Sequence, residues 1–482
     1  MAYRCGSRDQ MALLPSSIEE YVPADAPVRA YDMLIEALDF QALEIPINEF
    51  KVGNSSYHPK SMMKLLVYGY SYGIRSSRKL EQAVYDNMSF IWLMGGIKPD
   101  HKTIAEFRRK NKKSISKVLR QCVRLCIKLN LIAGNVLFVD GSKIAANASK
   151  KSMHKRKWYE EELKEIDERI EKLLKECEAI DERERKQPSF VSMQKELCDK
   201  QRLKKRVSQA LSALDGGKSK QSSLSDPECK NMKFKQGFHP GYNVQSVVDD
   251  KYGLIAHAEV TPAVNDLNQF ASQVDQAQEA LGIKCEVACA DSGYADTDEL
   301  AKIDSQGIHV VVPSQRQALH KPEQPFSKSE FSYDREQDCY RCPEGNKLEL
   351  VRREKTSGKR HYRIKKPGLC QRCKHFGKCT ESGNGRTILR LGNEDTKGRL
   401  ELQYSTTKSQ EIYAKRKSRV ELPFGHMKRN LGADHFLVRG ISGALVETSL
   451  LATCFNVARM LTLKGVKGAI EELMIIRCPV IA

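Results

Sequence analysis

The sequence predicts a mixed α/β protein whose sheet-forming part is preceded by helices alone. Three observations predict it. Two short apolar runs, Val136–Val139 and Glu286–Ala290, each lead directly into an aspartate. Helical periodicity fills much of the chain between and after them. Residues 57–130 show helical periodicity and no strand pattern.

In the helical segment, Leu65 and Leu66, then Leu80, Ala83 and Val84, recur at helical intervals. Thr103-Ile-Ala-Glu106 has the form of a capping box, which satisfies amides left unpaired at a helix start, so a helix is expected to begin there. Behind it Phe107, Val118, Cys122 and Leu125 are interleaved with Arg108, Arg109, Lys110, Lys113, Lys117 and Arg124. One face suits a core and another is cationic. That pattern fits a DNA-binding region and, equally, an ordinary helical domain with a charged exterior.

The period changes at Asn135. Val136-Leu-Phe-Val139 reads as a buried strand that ends with the Asp140 carboxylate. Leu163, Ile166, Ile170, Leu173, Cys177 and Ile180 then repeat at three and four residues, Pro188 interrupts, and Val207, Leu211 and Leu214 resume. This predicts an antiparallel helical hairpin, closed by a polar linker after Asp215. Its role is open between a solvent-exposed insert, a dimer contact and a DNA contact. Strands return at Tyr242–Val248 and Leu254–Val260 around a turn at 249–253, followed by a helix at 267–281. The run ending at Asp291, a helix near 297–305 and the strand Ile308–Val312 complete the series. Strand, hairpin strands, helix, strand, helix, strand is the order of a ribonuclease H-like α/β domain, with the helical hairpin inserted after its first strand.

Composition narrows the partners. The chain has 482 residues, 40% of them hydrophobic, which suggests two to four folding units. Its 80 Lys and Arg against 61 Asp and Glu give a net charge of +19, which favours polyanions and nucleic acid first; the plain alternative is a solvated basic surface. No export signal is visible at the N-terminus, and the apolar stretch 443–463 carries Glu447, Asn456 and Arg459, too polar for a lipid span and suited to a buried amphipathic helix. A cytoplasmic protein is expected. There the 15 cysteines read as core thiols and metal ligands.

Taken singly, Asp140-Gly-Ser and Asp291-Ser-Gly are sequences of ordinary turns. Together they end strands that this topology makes neighbours, and open α/β sheets place their sites at the carboxyl ends of strands. A third carboxylate is expected from a helix packed there. Glu421 stands in the helical run Tyr413–Lys428 among Arg416, Lys417 and Arg419, where its plain reading is a helix salt bridge. Carboxylates suit magnesium, a hard cation that prefers oxygen and leaves positions to water and phosphate. Two such ions about 4 Å apart support an in-line phosphoryl displacement.

Five cysteines mark residues 314–404. Cys339-x2-Cys342 and Cys370-x2-Cys373, 27 residues apart, have zinc-ribbon spacing, and Cys379 is a fifth candidate. The alternative is unligated thiols in a polar module; against it, a segment this polar is expected to have little apolar core to hold it together.

The chain resembles the bacterial insertion-sequence transposases of the DDE class. The matching segments are Tyr57-His-Pro, Ser76-Ser-Arg-Lys-Leu-Glu81, Pro99 through Arg108, Val139-Asp-Gly-Ser-Lys143, Ala290-Asp-Ser-Gly-Tyr294, Tyr413 through Arg429 and Phe436-Leu-Val-Arg-Gly440. The resemblance implies Asp140, Asp291 and Glu421 as a catalytic triad that binds two magnesium ions, with manganese as a substitute. It selects Cys342, Cys370, Cys373 and Cys379 for structural zinc. The cations expected on DNA are Arg78, Lys79, Arg108, Arg109, Arg416, Arg419, Lys428 and Arg439. It further implies a homodimer that cuts at the element's terminal inverted repeats and joins them to target DNA. Relatives often show Tyr, two residues, Arg, three residues, Glu, six residues, Lys; here four residues separate Arg416 from Glu421, and Pro423 is expected to break the helix.

The expected organisation is a helical DNA-binding domain at 1–130, a ribonuclease H-like core at 131–313 with its hairpin insert at 152–225, a zinc-binding insert at 314–404, and C-terminal helices at 405–482 that complete the core. Two other readings fit: a DNA-binding derivative that has lost the reaction, and a ribonuclease H-like endonuclease that cuts without joining.

Overall fold

The computed structural model describes residues 17–47, 56–178, 188–215, 220–319, 325–355 and 358–477. The expected helix residue Ile180 and most of the linker after Asp215 lie outside them. In chain order come α1 (Pro27–Glu36), α2 (Pro59–Ser71), α3 (Ser77–Asp86), α4 (Met88–Leu93), α5 (His101–Lys110), α6 (Lys112–Ser116) and α7 (Val118–Lys128). Strands β1 (Val136–Ala145) and β2 (Met153–His154) lead to α8 (Arg156–Glu178) and α9 (Pro188–Asp215). Then follow β3 (Ser222–Ser223), β4 (Lys230–Phe234), β5 (Gly237–Asp249), β6 (Ile255–Thr261) and α10 (Phe270–Leu281). Next are β7 (Val287–Cys289), α11 (Thr297–Ser305), β8 (His309–Val311), α12 (Gln315–Ala318), β9 (Ser332–Asp334), β10 (Cys339–Arg341), β11 (Lys347–Arg353) and β12 (Arg360–Ile364). The chain closes with α13 (Pro367–Gln371), β13 (Thr387–Arg390), α14 (Glu394–Tyr404), α15 (Thr407–Arg429) and α16 (Ile441–Arg477).

Two compact units form, one from residues through 266 with 272–285 and 416 onward, the other from 267–271 with 286–415. The first is organised around α16. Between Gly443 and Met460 its buried face runs nearly all round, through Ala444, Val446, Leu450, Leu451, Cys454, Phe455, Val457 and Met460, and the helix kinks at Gly465, where φ is 71°. Against it pack α1, α2, α7 and β6, each with an apolar stripe of its own, and the short α6 through Ile115. The expected buried helix is present, but the stretch is not too polar to span: α16 is the one described helix long and apolar enough to cross a membrane, and 78% of its most apolar window is buried inside the protein. Several of its buried polar residues have partners, though the Thr448 hydroxyl has none among the described residues. Asn456 brackets Ile255, accepting from its amide at 2.8 Å and donating to its carbonyl at 2.8 Å.

The start of α5 also differs from expectation. Asp100 caps it, accepting from the Thr103 amide at 2.8 Å, so the helix begins at His101, ahead of the Thr103–Glu106 box. A carboxylate three residues ahead of that amide is at the ordinary capping distance in sequence and takes it.

The α1–α2 contact carries a charge cluster. Glu36 meets Lys60 at 2.9 Å and Lys64 at 2.7 Å, and Asp32 meets Lys64 at 2.6 Å. Burial alone would raise the Glu36 carboxyl, but hydrogen bonds from Lys64 and Lys60, with their charges, outweigh it and hold it at about 2. This folded-state value lies below the ordinary one, so the ion pairs stabilise fully above about pH 4.5, and that contribution is lost as pH falls toward 2. Glu36→Gln is expected to lower the thermal midpoint by a few degrees at pH 7 and to be nearly neutral close to pH 2. Equal losses at both pH values in calorimetry would assign the effect to packing instead.

In the sheet of the first unit, β1 runs antiparallel to β5, with Asp140 opposite Ser246 and Ala145 opposite Gly241. The other edge of β5 is long enough to pair with β4 near one end and β6 near the other. Strand β4 was not legible as a strand. The turn at 249–253 is held by Asp249, whose carboxylate accepts from the amides of Ala133, Gly134 and Lys251. Helices α8 and α9 lie antiparallel around Tyr159, Ile166, Val207, Ala210 and Leu214. Outside that strip Arg169 pairs with Glu196 at 2.8 Å and Lys204 with Asp167 at 2.6 Å. Pro188 opens α9, where its missing amide hydrogen costs nothing.

The second unit holds β7 and β8, which pair in parallel, and α14, whose Gln403 donates to the Val310 carbonyl at 2.9 Å. It also contains an antiparallel sheet in the order β13-β12-β11-β10-β9. This corrects the expectation of a segment with little core. Phe331, Tyr340, Leu348, Tyr362 and Ile388 form a small aromatic-rich one, and the Tyr333 and Tyr362 hydroxyls both donate to Asp338.

Candidate active site

Asp140 stands in the middle of β1, not at its end as the sequence suggested. Strand pairing continues through Ala145 because Gly141, Ser142 and Lys143 keep extended partners on β5. At this position the Asp140 side chain is largely buried, with 19% exposure, and Oδ1 accepts from Arg416 Nη2 at 2.7 Å. A desolvated carboxylate needs a charge beside it, and the guanidinium supplies that charge. Arg416 belongs to the same run of α15 that carries Glu421.

Two residues on, and on the same face of β1, the Ser142 hydroxyl accepts from Lys428 Nζ at 2.6 Å, and the Lys143 carbonyl accepts from it at 3.1 Å. Burial pushes the Lys428 ammonium down, Lys235 adds to that, and Asp140 opposes it. From Glu421 to Lys428 is about 700° of helix, so the two share a face to within about 20°. Glu421 itself is exposed. The expected break at Pro423 does not occur: α15 continues through it to Arg429. Arg419 pairs with Asp250 at 3.0 Å.

Asp291 lies two residues beyond β7, in the second unit, and its Oδ1 accepts from the Gly293 amide at 2.8 Å. The structure thus brings Asp140, Arg416, Glu421 and Lys428 onto β1 and α15 of one unit, and describes Asp291 in the other. Nearby acidic residues are engaged elsewhere: Asp296 caps α11, and Asp298 accepts from Asn393 at 2.7 Å.

Among the expected DNA contacts, Arg78 and Lys79 are exposed on α3. Arg108, Arg109 and Arg439 line one groove, together with Lys112 and Asn147, which sequence reasoning missed. Lys112 stands beside the cationic run of α5, so charge clustering was the available signal. Asn147 left none.

Cys342, Cys370, Cys373 and Cys379 line one small cavity in the second unit. Turns present them: the Gly345 amide donates to the Cys342 carbonyl at 2.8 Å, with Gly345 at φ 77°, and the Cys373 amide donates to that of Cys370 at 3.1 Å. Burial raises the Cys379 thiol, Arg386 opposes this, and the neighbouring Cys370, Cys342 and Cys373 add to it. Cys339 is fully buried in β10 and does not line the cavity. Among the described residues, no three His, Cys, Asp or Glu side chains are gathered closely enough to hold a metal ion as they stand.

Two family comparisons bear on this arrangement. Residues 16–110 match a family described as a transposase domain (DUF772), and residues 341–461 match one described as a transposase DDE domain. The second match contains Glu421, Lys428 and the four cysteines of the cavity; Asp140 and Asp291 fall outside both. No curated protein and no solved structure matches the chain. A helical N-terminal region and an α/β body that carry these two domains define a transposase. The two matches together support an insertion-sequence transposase of the DDE class.

Proposed function

We propose that the chain cuts DNA at the ends of an insertion sequence and joins the freed 3′-hydroxyl to target DNA, with Asp140, Asp291 and Glu421 as catalytic residues on a ribonuclease H-like core. One observation carries this reading: the desolvated carboxylate of Asp140 is held at 2.7 Å by Arg416, on the helix that also bears Glu421 and Lys428.

The donor set suits a hard divalent cation, since all three groups offer carboxylate oxygen. Asp140 already requires a neighbouring positive charge, which a cation would meet as Arg416 does. Asp140, Asp291 and Glu421 would hold magnesium or manganese, which supplies Lewis-acid stabilisation of phosphoryl oxygen. Lys428, which donates to Ser142, would meet a phosphate that approaches β1. Arg416 balances the charge of Asp140 when no phosphate or metal is near. Hydrolysis and joining are the same displacement, with water or a 3′-hydroxyl as nucleophile.

For the cysteine cavity we propose one structural zinc on Cys342, Cys370, Cys373 and Cys379. Its support is that these four thiols share a cavity from which Cys339 is absent.

The test of function is incubation of the purified protein with magnesium and a DNA fragment that carries both element ends. Cleaved ends and joined products are expected. Cleavage without joining would favour an endonuclease, and binding without either would favour an inactive derivative.

A further inference from the structure

In the first unit, α5 and the connection between α15 and α16 face each other across a groove of about 400 Å³. Arg108, Arg109, Lys112 and Arg439 line it, and no carboxylate does. Arg109 has an exposed neighbour in Glu106, at 2.6 Å, which solvent screens.

Behind the groove lies a carboxylate that the apolar pattern of α16 does not require. Glu447 is fully buried. Its Oε2 accepts from the Leu437 amide at 3.0 Å and sits 3.6 Å from Arg75 Nη1, while Oε1 accepts from the Tyr70 hydroxyl at 3.3 Å. That hydroxyl accepts in turn from Arg108 Nη1 at 3.0 Å, which also donates to the Arg75 carbonyl at 3.2 Å. Arg75 directs further donors to the same connection, at the carbonyls of His435 and Gly432. Asn147 donates to the Leu437 carbonyl at 2.6 Å, and Arg439 Nε donates to the Asn147 carbonyl at 3.2 Å. Burial raises the Glu447 carboxyl, and the Leu437 amide, Arg75 and Arg108 oppose this. A charge of this kind survives in a core only when its surroundings are fixed around it.

We infer that this groove receives the sugar-phosphate backbone of duplex DNA and that Glu447 is a positioning residue for it. Through Tyr70 it orients Arg108, and through the Leu437 amide it fixes the connection that carries Arg439. The inference rests on the reading of the chain as a DNA-processing enzyme. Cations held in advance lose little freedom when a phosphate arrives, so they bind it more tightly than the same charges on mobile stems. The connection also starts where α15 ends, so a duplex seated there is indexed to the helix of Glu421 and Lys428.

The test uses the full chain and a short labelled duplex of mixed sequence, with affinity measured across a salt series. Lys112→Ala and Arg439→Ala should each reduce the salt slope by about one unit, as expected when one phosphate is left without its cation. Tyr70→Phe should weaken binding about threefold and Glu447→Gln about tenfold, both with an unchanged slope, because orientation is lost while the groove keeps its cations. A purely structural role would lower the thermal midpoint and leave the affinity of the folded protein alone; Tyr70→Phe, which removes one hydroxyl, keeps this readable if Glu447→Gln fails to fold. If the wild type binds no duplex, the DNA reading itself falls. If it binds and neither slope nor affinity changes in the four variants, the groove is wrong and the DNA reading stands.

Discussion

Asp140→Asn, Asp291→Asn and Glu421→Gln are each expected to reduce DNA cleavage and joining by about a thousandfold or more while leaving end binding within about threefold. Each change keeps size and removes charge. At Asp140 the loss is felt twice, because the amide no longer attracts a cation and Arg416 is left beside a neutral group in a largely buried site. Glu421 is exposed, so Glu421→Gln should leave the thermal midpoint unchanged, and its loss of activity can be attributed to chemistry. Binding rests on cations elsewhere and should persist. Partial rescue by manganese is expected for the weakest of the three defects. Near wild-type rates for Glu421→Gln would remove it from the triad, and its replacement would have to be sought beyond Asp296 and Asp298, whose carboxylates already cap α11 and hold Asn393.

The second large effect concerns metal content. Freshly purified, reduced protein should contain about one equivalent of zinc, and Cys373→Ser or Cys379→Ser should bring it below about half. Cys339→Ser should retain it, since that thiol is buried in β10 away from the cavity. Four thiolates on one ion contribute about 10–16 kcal/mol of apparent binding free energy in small domains, enough to govern local folding. The sheet of the second unit has its own aromatic core, so metal loss should loosen the turns at Cys342–Gly345 and Cys370–Cys379 more than the strands. Protease cleavage confined to those turns after chelation would bear this out. A zinc-free protein with intact turns would mean that the thiols are unligated.

Much of this was legible because local chemistry and tertiary packing agree. The apolar run into Asp140, the aspartate after β7, the paired periodicities of α8 and α9 and the cysteine spacings each follow from short-range pattern. The rest depended on distant partners. Asp140 looked like a strand end because Gly141 follows it, yet β5 supplies partners through Ala145. Strand β4 is short and polar and exists through its pairing with β5. The cap of α5 depended on Asp100 taking the Thr103 amide. Pro423 reads as a break, but α15 runs on through it. Glu447 was visible as a carboxylate in an apolar run; only the fold showed that residues hundreds of positions away gather round it.

The packing of α1, α2, α6 and α7 on α16 has a consequence for biosynthesis. Tyr70 and Glu447 are 377 positions apart in the chain. At about 5–20 residues per second, roughly 20–75 s pass on the ribosome between their emergence. For that interval the N-terminal helices carry apolar faces with no α16 to cover them. Newly made chains therefore depend on slow, long-range closure, and a fragment that stops after α7 should aggregate rather than fold.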